Sequence, residues 1–318
     1  MDASYKHPVV AVVGPTATGK TALGVALAEQ FGGEVISADS MQIYKGLDVG
    51  TAKVTPEETH GIPHHGVDIL EPDAPFSVAD FTAMAGRLEQ EIAGRGHLPI
   101  LVGGTGLWME AVVRGHGFAG GHAGGAVRRE LQERLEREGI APLLEELRQV
   151  DPEAARRLHP ADEKRILRAL EVYRETGKTI TEHNRETAAL PPRYDAVWIG
   201  LQFEERAEMK ALIDRRVDAM VEEGLLGEVM GLLKSGLPRD ATALQAIGYK
   251  EFLGVAEGTA TVDQAVAEVK LRSRQYAKRQ LTWLRRNPEI HWIWWGKERD
   301  FARALQISTE ILSDAGVS

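Results

Sequence analysis

The sequence predicts an α/β fold: a parallel-sheet core interrupted by an inserted all-helical domain. Three observations carry this. Short apolar, β-branched runs at residues 8–13, 34–38, 98–102 and 196–201 have the length and composition of buried strands. The first three alternate with stretches whose apolar residues recur at helical spacing, and such alternation builds a parallel sheet. Residues 127–186 are charged and helical in pattern, with no clear strand.

The elements follow in order. The run 8–13 ends at Gly14, and residues 20–31 form a helix pattern with Leu23, Leu27 and Ala28 on one face. Strand 34–38 ends at Asp39. Ser77 opens a further helix, with Asp80 three residues on as a capping-box pair. Strand 98–102 runs into Gly103-Gly104-Thr105-Gly106. Residues 115–125 contain six glycines and two histidines and suit a flexible link. Pro191-Pro192 closes the helical segment, strand 196–201 follows, and residues 206–233 and 262–286 have the spacing of long helices. The expected organisation is a core of residues 1–114 and 195–318, a link at 115–125, and a helical insertion at 126–190.

Composition narrows the function classes. Of 318 residues, 43% are apolar and 27% charged, as in ordinary globular proteins. There is no cysteine, which excludes disulfides and cysteine-ligated metal sites. No run has the apolar length of a signal peptide or a membrane span, so the expectation is a cytoplasmic protein with no membrane partner. The net charge of −9 argues against polyanion binding by the body of the chain. Residues 270–286 reverse that locally: Lys270, Arg272, Arg274, Lys278, Arg279, Arg285 and Arg286 occur with no acidic residue among them. Such a stripe on an acidic body can hold nucleic acid in one defined place. Val266, Val269, Tyr276, Leu281 and Leu284 give the same segment a packing face. Lys164, Arg165 and Arg168 share one helical face and suit the same purpose. His60, His64, His65 and Asp68 are metal-ligand types, but their spacing matches no metal motif. The aromatic run 292–295 suits an edge strand better than base stacking.

The strongest motif is Gly14-Pro15-Thr16-Ala17-Thr18-Gly19-Lys20-Thr21, which matches G-x-x-x-x-G-K-[ST]. Glycines let the backbone curl so that its N–H groups face phosphate oxygens, and the helix that follows adds its positive end. Lys20 supplies a full charge, and the Thr21 hydroxyl is a ligand for Mg²⁺. The loop lies between a strand and a helix, as the motif requires. A nucleotidase on this loop needs an acid at the end of a second strand to hold the metal. Strand 98–102 ends instead in Gly-Gly-Thr-Gly. The acid at a strand end near the loop is Asp39, and the pattern alone leaves open whether it binds Mg²⁺ or acts as a base.

Further segments resolve this by resemblance. Residues 39–53 (Asp-Ser-Met-Gln-Ile-Tyr-Lys-Gly-Leu-Asp-Val-Gly-Thr-Ala-Lys), Gly103-Gly104-Thr105-Gly106-Leu107 and Lys278-Arg279-Gln280-Leu281-Thr282-Trp283-Leu284-Arg285, together with the phosphate loop, closely resemble the bacterial tRNA dimethylallyltransferases. His159-Pro160, Arg165, residues 168–172 and residues 245–250 extend the likeness in the same order along nearly the whole chain.

The resemblance implies a P-loop fold with a channel, entered on one side by dimethylallyl diphosphate and on the other by the adenosine 3′ of the anticodon, flipped out of its loop. It makes Asp39 the general base and Thr105 a positioning residue. Arg216, which on its own pattern is an exposed helix arginine, becomes a diphosphate contact beside Gly14–Thr21. It sets Asp39, Ser40, Met41, Gln42 and Thr105 against the target nucleotide. Further tRNA contacts are expected from Arg128, Lys164, Arg165, Ile166, Leu167 and Arg168 in the insertion, and from Gln245, Gly248, Tyr249, Lys250, Lys278, Arg279 and Arg285 in the core. The partners expected are a tRNA anticodon stem-loop and dimethylallyl diphosphate, with Mg²⁺ as cofactor and a monomeric protein. Tyr44, next to this stretch, suits stacking on a base or core packing equally. The link at 115–125 is richer in glycine and histidine than its counterpart in the family. Rival functions on the same loop are a nucleotide kinase or hydrolase, isopentenyl transfer to a free adenine nucleotide, and non-catalytic RNA binding.

Overall fold

The computed structural model describes residues 7–116, 118 and 125–317. The chain separates into two compact units, one formed by Met1–Val113 with Arg193–Ser318 and the other by Arg114–Pro192. In the first unit, β1 (Pro8–Val13) leads through the phosphate loop into α1 (Lys20–Phe31). Then come β2 (Gly33–Ser37), β3 (His64–His65), α2 (Val78–Gly94), β4 (Leu98–Gly103) and α3 (Gly106–Arg114). The second unit contains α4 (Ala126–Glu138), α5 (Ile140–Val150), α6 (Pro152–Arg157), α7 (Glu163–Thr176) and α8 (Ile180–Ala189). The chain returns to the first unit with β5 (Asp195–Phe203), α9 (Arg206–Glu222), α10 (Leu225–Lys234), the short α11 (Leu253–Ala256), α12 (Val262–Leu284), β6 (Ile290–Trp295) and α13 (Phe301–Asp314). Most of the expected link, 115–125, lies outside the described residues.

The six strands form one parallel sheet in the order β3-β2-β4-β1-β5-β6. β1 is central and its residues alternate between two buried faces. Val9, Ala11 and Val13 face a core shared with Phe81 and Ala85 of α2, Trp108 and Met109 of α3, and Leu225 and Val229 of α10. Val10 and Val12 face Leu23, Leu27 and Ala28 of α1, Met209 and Ile213 of α9, and Ala304 and Leu312 of α13. A parallel strand covered on both sides has no solvent face, which is why these runs are continuously apolar.

Local chemistry fixes the helix ends. Ser77 and Asp80 form the expected capping box on α2. α1 opens on Gly19 and closes on Gly32, both left-handed, a conformation that costs glycine little. The single helix expected over 206–233 is two helices. Gly224, at φ +103°, turns the chain between α9 and α10. The sequence reading missed β3 as a strand, because two residues show no periodicity.

The helical unit has its own core of Leu131, Leu143, Leu144, Leu147, Ile166, Leu167, Ala169 and Leu170. Buried Asp151 caps α6 through the Ala154 N–H and accepts hydrogen bonds from Thr181 N and Oγ1.

Candidate active site at the carboxyl edge of the sheet

A parallel sheet brings the ends of neighbouring strands together at its carboxyl edge, where ligands of such folds sit. Here β1, β2 and β4 deliver the phosphate loop, Asp39 and Thr105 to the same edge. Register sets the proximity: Val13 pairs with Gly103 and Ser37 with Val102, and the Ala38 N–H donates to Val102 O at 2.8 Å. The two glycines after β4 are a steric requirement. A Cβ on Gly103 would lie 2.6 Å from Ala38 O, and one on Gly104 would strike the Gln280 amide and approach Gly14 O at 3.1 Å.

The loop is held from outside by residues late in the chain. Gln280 of α12 accepts the Thr16 N–H at 2.9 Å and donates to Gly104 O at 3.0 Å, so one buried amide ties the phosphate loop to the Thr105 loop. Trp295, at the end of β6, donates its indole N–H to Thr18 O at 2.9 Å. Phe301 packs where a Gly19 side chain would be. Thr18 Oγ1 donates to Pro15 O at 2.8 Å, and Lys20 Nζ donates to the same carbonyl at 2.8 Å.

The cations of the site crowd one another. Burial foremost, and then the Arg216 guanidinium, push the Lys20 ammonium down to about 7, against the opposing pull of Asp39. Burial likewise lowers Arg216, whose charged neighbours are Asp39, Glu58, Arg299 and Glu223. Among the described residues, Arg216 Nε is buried with no hydrogen-bond partner, and Nη2 reaches only Thr51 O at 3.5 Å. A buried guanidinium with an unused donor, beside a lysine held near neutrality, is suited to receive an anion. The sequence pattern of an exposed helix arginine therefore misjudged Arg216.

Asp39 Oδ1 accepts the Met41 N–H at 2.9 Å, which fixes the carboxylate within the field of Lys20 and Arg216. Thr105 Oγ1 is buried without a hydrogen bond of good geometry, beside the Tyr276 hydroxyl. Burial first, and then the Asp39 charge, raise Tyr276 above its ordinary value. Tyr276, assigned from sequence to a packing face, thus belongs to the site as well.

The segment after Asp39 is rigidly held. Gln42 accepts from Ser37 Oγ at 3.0 Å and donates to Thr51 O at 3.3 Å. Glu228 of α10 accepts the N–H groups of Asp48 at 2.8 Å, Val49 at 2.8 Å and Gly50 at 3.1 Å, and the Tyr249 hydroxyl donates to the same carboxylate. One open choice is decided here, at Tyr44, and two expectations are corrected, at Tyr249 and Gly248. Tyr44 is fully buried with its hydroxyl on Ala74 O, which settles its role as packing. Tyr249 is also buried, against Gly50, and Gly248 is buried at φ +101°, so both support the loop from behind and present no side chain to RNA. Gln245 and Lys250 stand exposed.

The basic stripe divides in two. Lys270 pairs with Asp218 at 2.5 Å, Arg272 with Glu268 at 2.6 Å and Arg274 with Asp214 at 2.7 Å, so three of its seven charges are met by acids on α9 and α12. Arg285 donates to buried Gln202 at 3.0 Å. Lys278, Arg279 and Arg286 carry no ion pair among the described residues. With Gln275, Thr282 and half-exposed Trp283 they line an open groove of about 370 Å³. Arg279 lies over Tyr276 and Arg286 over Trp283, each with its guanidinium carbon 5.7 Å from the ring centroid. Cations and an aromatic face in one groove suit a nucleic-acid strand.

In the helical unit, Lys164 and Arg165 are exposed on α7. Ile166 and Leu167 are buried in its core, so their side chains are not presented to RNA as expected, because consecutive helical positions face different ways. Arg168 pairs with buried Glu171 at 2.9 Å, and Arg128 lies 3.9 Å from the same carboxylate. His65 bonds Glu34 at 2.7 Å, His60 bonds Glu29 at 3.0 Å, and among the described residues no group of three acidic, histidine or cysteine side chains is arranged to hold a metal. No helix among them is long and apolar enough to cross a membrane. Sequence reasoning left Gln280, Glu228 and Trp295 without a place in the site. For Gln280 a signal existed: it shares the inward stripe of α12 with Ala277 and Leu284, where a polar residue needs a buried partner.

Comparison with known proteins agrees with this geometry. Residues 42–287 match the IPP transferase family model, and residues 7–65 match the isopentenyl transferase model. A tRNA dimethylallyltransferase of Symbiobacterium thermophilum is 50% identical over 91% of this chain and 89% of its own. One from Geobacillus thermodenitrificans is 48% identical over 90% of each. The crystal structure of a Bacillus halodurans tRNA isopentenylpyrophosphate transferase superposes with a TM-score of 0.72 at 42% identity, covering 97% and 96% of the two chains. A eukaryotic dimethylallyltransferase acting on tRNA gives 0.84 at 28% identity, covering 97% and 80%. With a six-stranded parallel sheet, a phosphate loop and an acid and a threonine delivered to one edge, this chain belongs to the tRNA dimethylallyltransferase family of IPP transferases.

Proposed function

We propose that this protein transfers the dimethylallyl group of dimethylallyl diphosphate to the exocyclic N6 amine of the adenosine 3′ of the anticodon in tRNA, releasing diphosphate. The observation that carries it is the junction at Gln280, which holds a phosphate cradle against the loop of Thr105, with Asp39 at the neighbouring strand end. The amine lone pair is delocalised into the ring and is a weak nucleophile. As N6 bonds to the allylic carbon, the C–O bond breaks and its electron pair leaves on the diphosphate. The N6 proton passes to the Asp39 carboxylate, a contribution of about 10²–10⁴ in rate. Charge building on the diphosphate is met by the N–H groups of the loop, Lys20 and Arg216, donors fixed before the reaction begins. Thr105, whose buried hydroxyl lies beside that of Tyr276, is suited to orient the reacting groups. The Thr21 hydroxyl, exposed at the start of α1, is the group that would hold a Mg²⁺, which when bound would neutralise leaving-group charge.

The tRNA side of the site is assigned to the Asp39–Gln42 stretch and to the Lys278–Arg286 groove. Lys164 and Arg165 of the helical unit are assigned to backbone phosphates. The test is incubation of tRNA with dimethylallyl diphosphate, followed by mass spectrometry of its nucleosides. A prenylated adenosine confined to the position 3′ of the anticodon supports the reading. Unmodified tRNA together with vigorous ATP turnover would falsify it in favour of a nucleotide hydrolase.

A further inference from the structure

We infer that Gln280 limits the phosphate cradle to two phosphates and so sets its preference for a diphosphate over a triphosphate; this rests on the diphosphate reading above. A phosphate loop binds through its backbone N–H groups. Those of Gly19, Lys20 and Thr21 lie at the start of α1 and have no partner within the helix, so they are available to the nearest phosphates. A third phosphate would extend towards the strand-side limb, Pro15-Thr16. Pro15 has no N–H. The Thr16 N–H is already donated to Gln280 Oε1 at 2.9 Å.

Gln280 is built to keep that donor occupied. It is 8% exposed, and its amide nitrogen donates to Gly104 O at 3.0 Å. A carbonyl oxygen accepts only from a donor, so this second bond fixes which end of the amide faces Thr16. Glycine at 104 is what makes room for the amide. The charge of the site acts the other way. Arg216 lies within the fields of both Lys20 and Arg299, and Coulomb attraction alone would favour the more highly charged anion. A preference for the smaller one therefore reports the missing donors rather than the charge.

The experiment titrates the whole protein with inorganic diphosphate and with inorganic tripolyphosphate, both with Mg²⁺, and compares the two affinities. The native protein is expected to bind diphosphate more tightly. Gln280→Met frees the Thr16 N–H and should shift the affinity ratio towards tripolyphosphate by about tenfold, the scale of one hydrogen bond to a charged group. Gln280→Glu keeps an acceptor on Thr16 while losing the Gly104 bond, so both affinities should fall with no shift of the ratio towards tripolyphosphate. An unchanged ratio in Gln280→Met overturns the inference. A similar shift in both variants also overturns it, because the effect would then follow from the broken Gly104 link. Should Gln280→Met fail to fold, Gln280→Glu decides alone: a retained ratio supports the inference and a relaxed one overturns it. A native protein that prefers tripolyphosphate and hydrolyses ATP would instead remove the diphosphate reading itself.

Discussion

At Lys20 burial and like charge act on the same group. Its ammonium, pushed down to about 7, is half neutral near physiological pH when no anion is bound. A bound diphosphate places negative charge beside it and raises the value again. The sign follows from linkage. Below pH 7 Lys20 is charged in both states and its contribution to binding is complete. Above pH 7 binding must take up a proton, so affinity falls as pH rises. Calorimetry of dimethylallyl diphosphate binding at about pH 8, in two buffers of different ionisation heat, should show net proton uptake. Identical heats would show that Lys20 stays charged without ligand. Glu89 of α2 gives a second prediction away from the site. It is fully buried, neither carboxyl oxygen makes a hydrogen bond of good geometry, and burial pushes it up to about 8 despite the Tyr194 hydroxyl and Arg193 nearby. An acid raised in the folded state stabilises fully below its unfolded value near 4.5, and that stability is lost as pH rises towards 8. Glu89→Gln should therefore be more stable than the native protein at about pH 8, by on the order of a few kcal/mol, with a smaller margin at about pH 5. Urea unfolding at the two pH values measures this, and an equal margin at both would contradict it.

Among the elements, α12 is the one with two jobs. Its inward positions, Val269, Ala277, Gln280 and Leu284, pack on the core and hold the phosphate loop. Its outward positions near the C-terminal end, Lys278 and Arg279, line the groove with Trp283 and with Arg286 just beyond the helix. Replacing those three cations by alanine should weaken tRNA binding. It should also flatten the salt dependence, by about 0.7–0.9 in log–log slope for each RNA phosphate the protein no longer neutralises. Affinity for dimethylallyl diphosphate should hold. Replacing Lys270, Arg272 and Arg274 should change the slope less, because those charges are already paired. Equal effects from the two sets would mean that the ion pairs do not shield the first half of the stripe. The sequence showed the charge of this helix but not its partition, since Asp214 and Asp218 belong to a different helix. Strands β1, β2, β4 and β5 were legible because a buried parallel strand is a continuous apolar run. The break at Gly224 was not, because a glycine inside a helical pattern is tolerated until its φ turns positive.

Over the whole molecule, the loops of the candidate site were legible and their fastenings were not. The phosphate loop, Asp39 and Thr105 each sit at the end of a recognisable strand, so topology alone gathers them. Gln280 meets Thr16 across 264 residues of sequence, and Trp295 meets Thr18 across 277. No local pattern encodes interactions of that span. The same limit explains the errors over Ile166, Leu167 and Tyr249, each near a polar or charged residue in sequence but turned into a core by the helix or turn that carries it. On the proposed function, the edge of the sheet carries a base beside a diphosphate cradle, and the two are separable. Asp39→Asn preserves shape and hydrogen bonding to Met41 but cannot take the N6 proton. The decisive measurement is single-turnover transfer from dimethylallyl diphosphate to tRNA by this variant, alongside its affinity for each substrate. Transfer is expected to be slower by about 10²–10⁴-fold with both substrates still bound. Near-native transfer would remove Asp39 as the base, and a collapse of diphosphate affinity would reassign it to holding metal or leaving group.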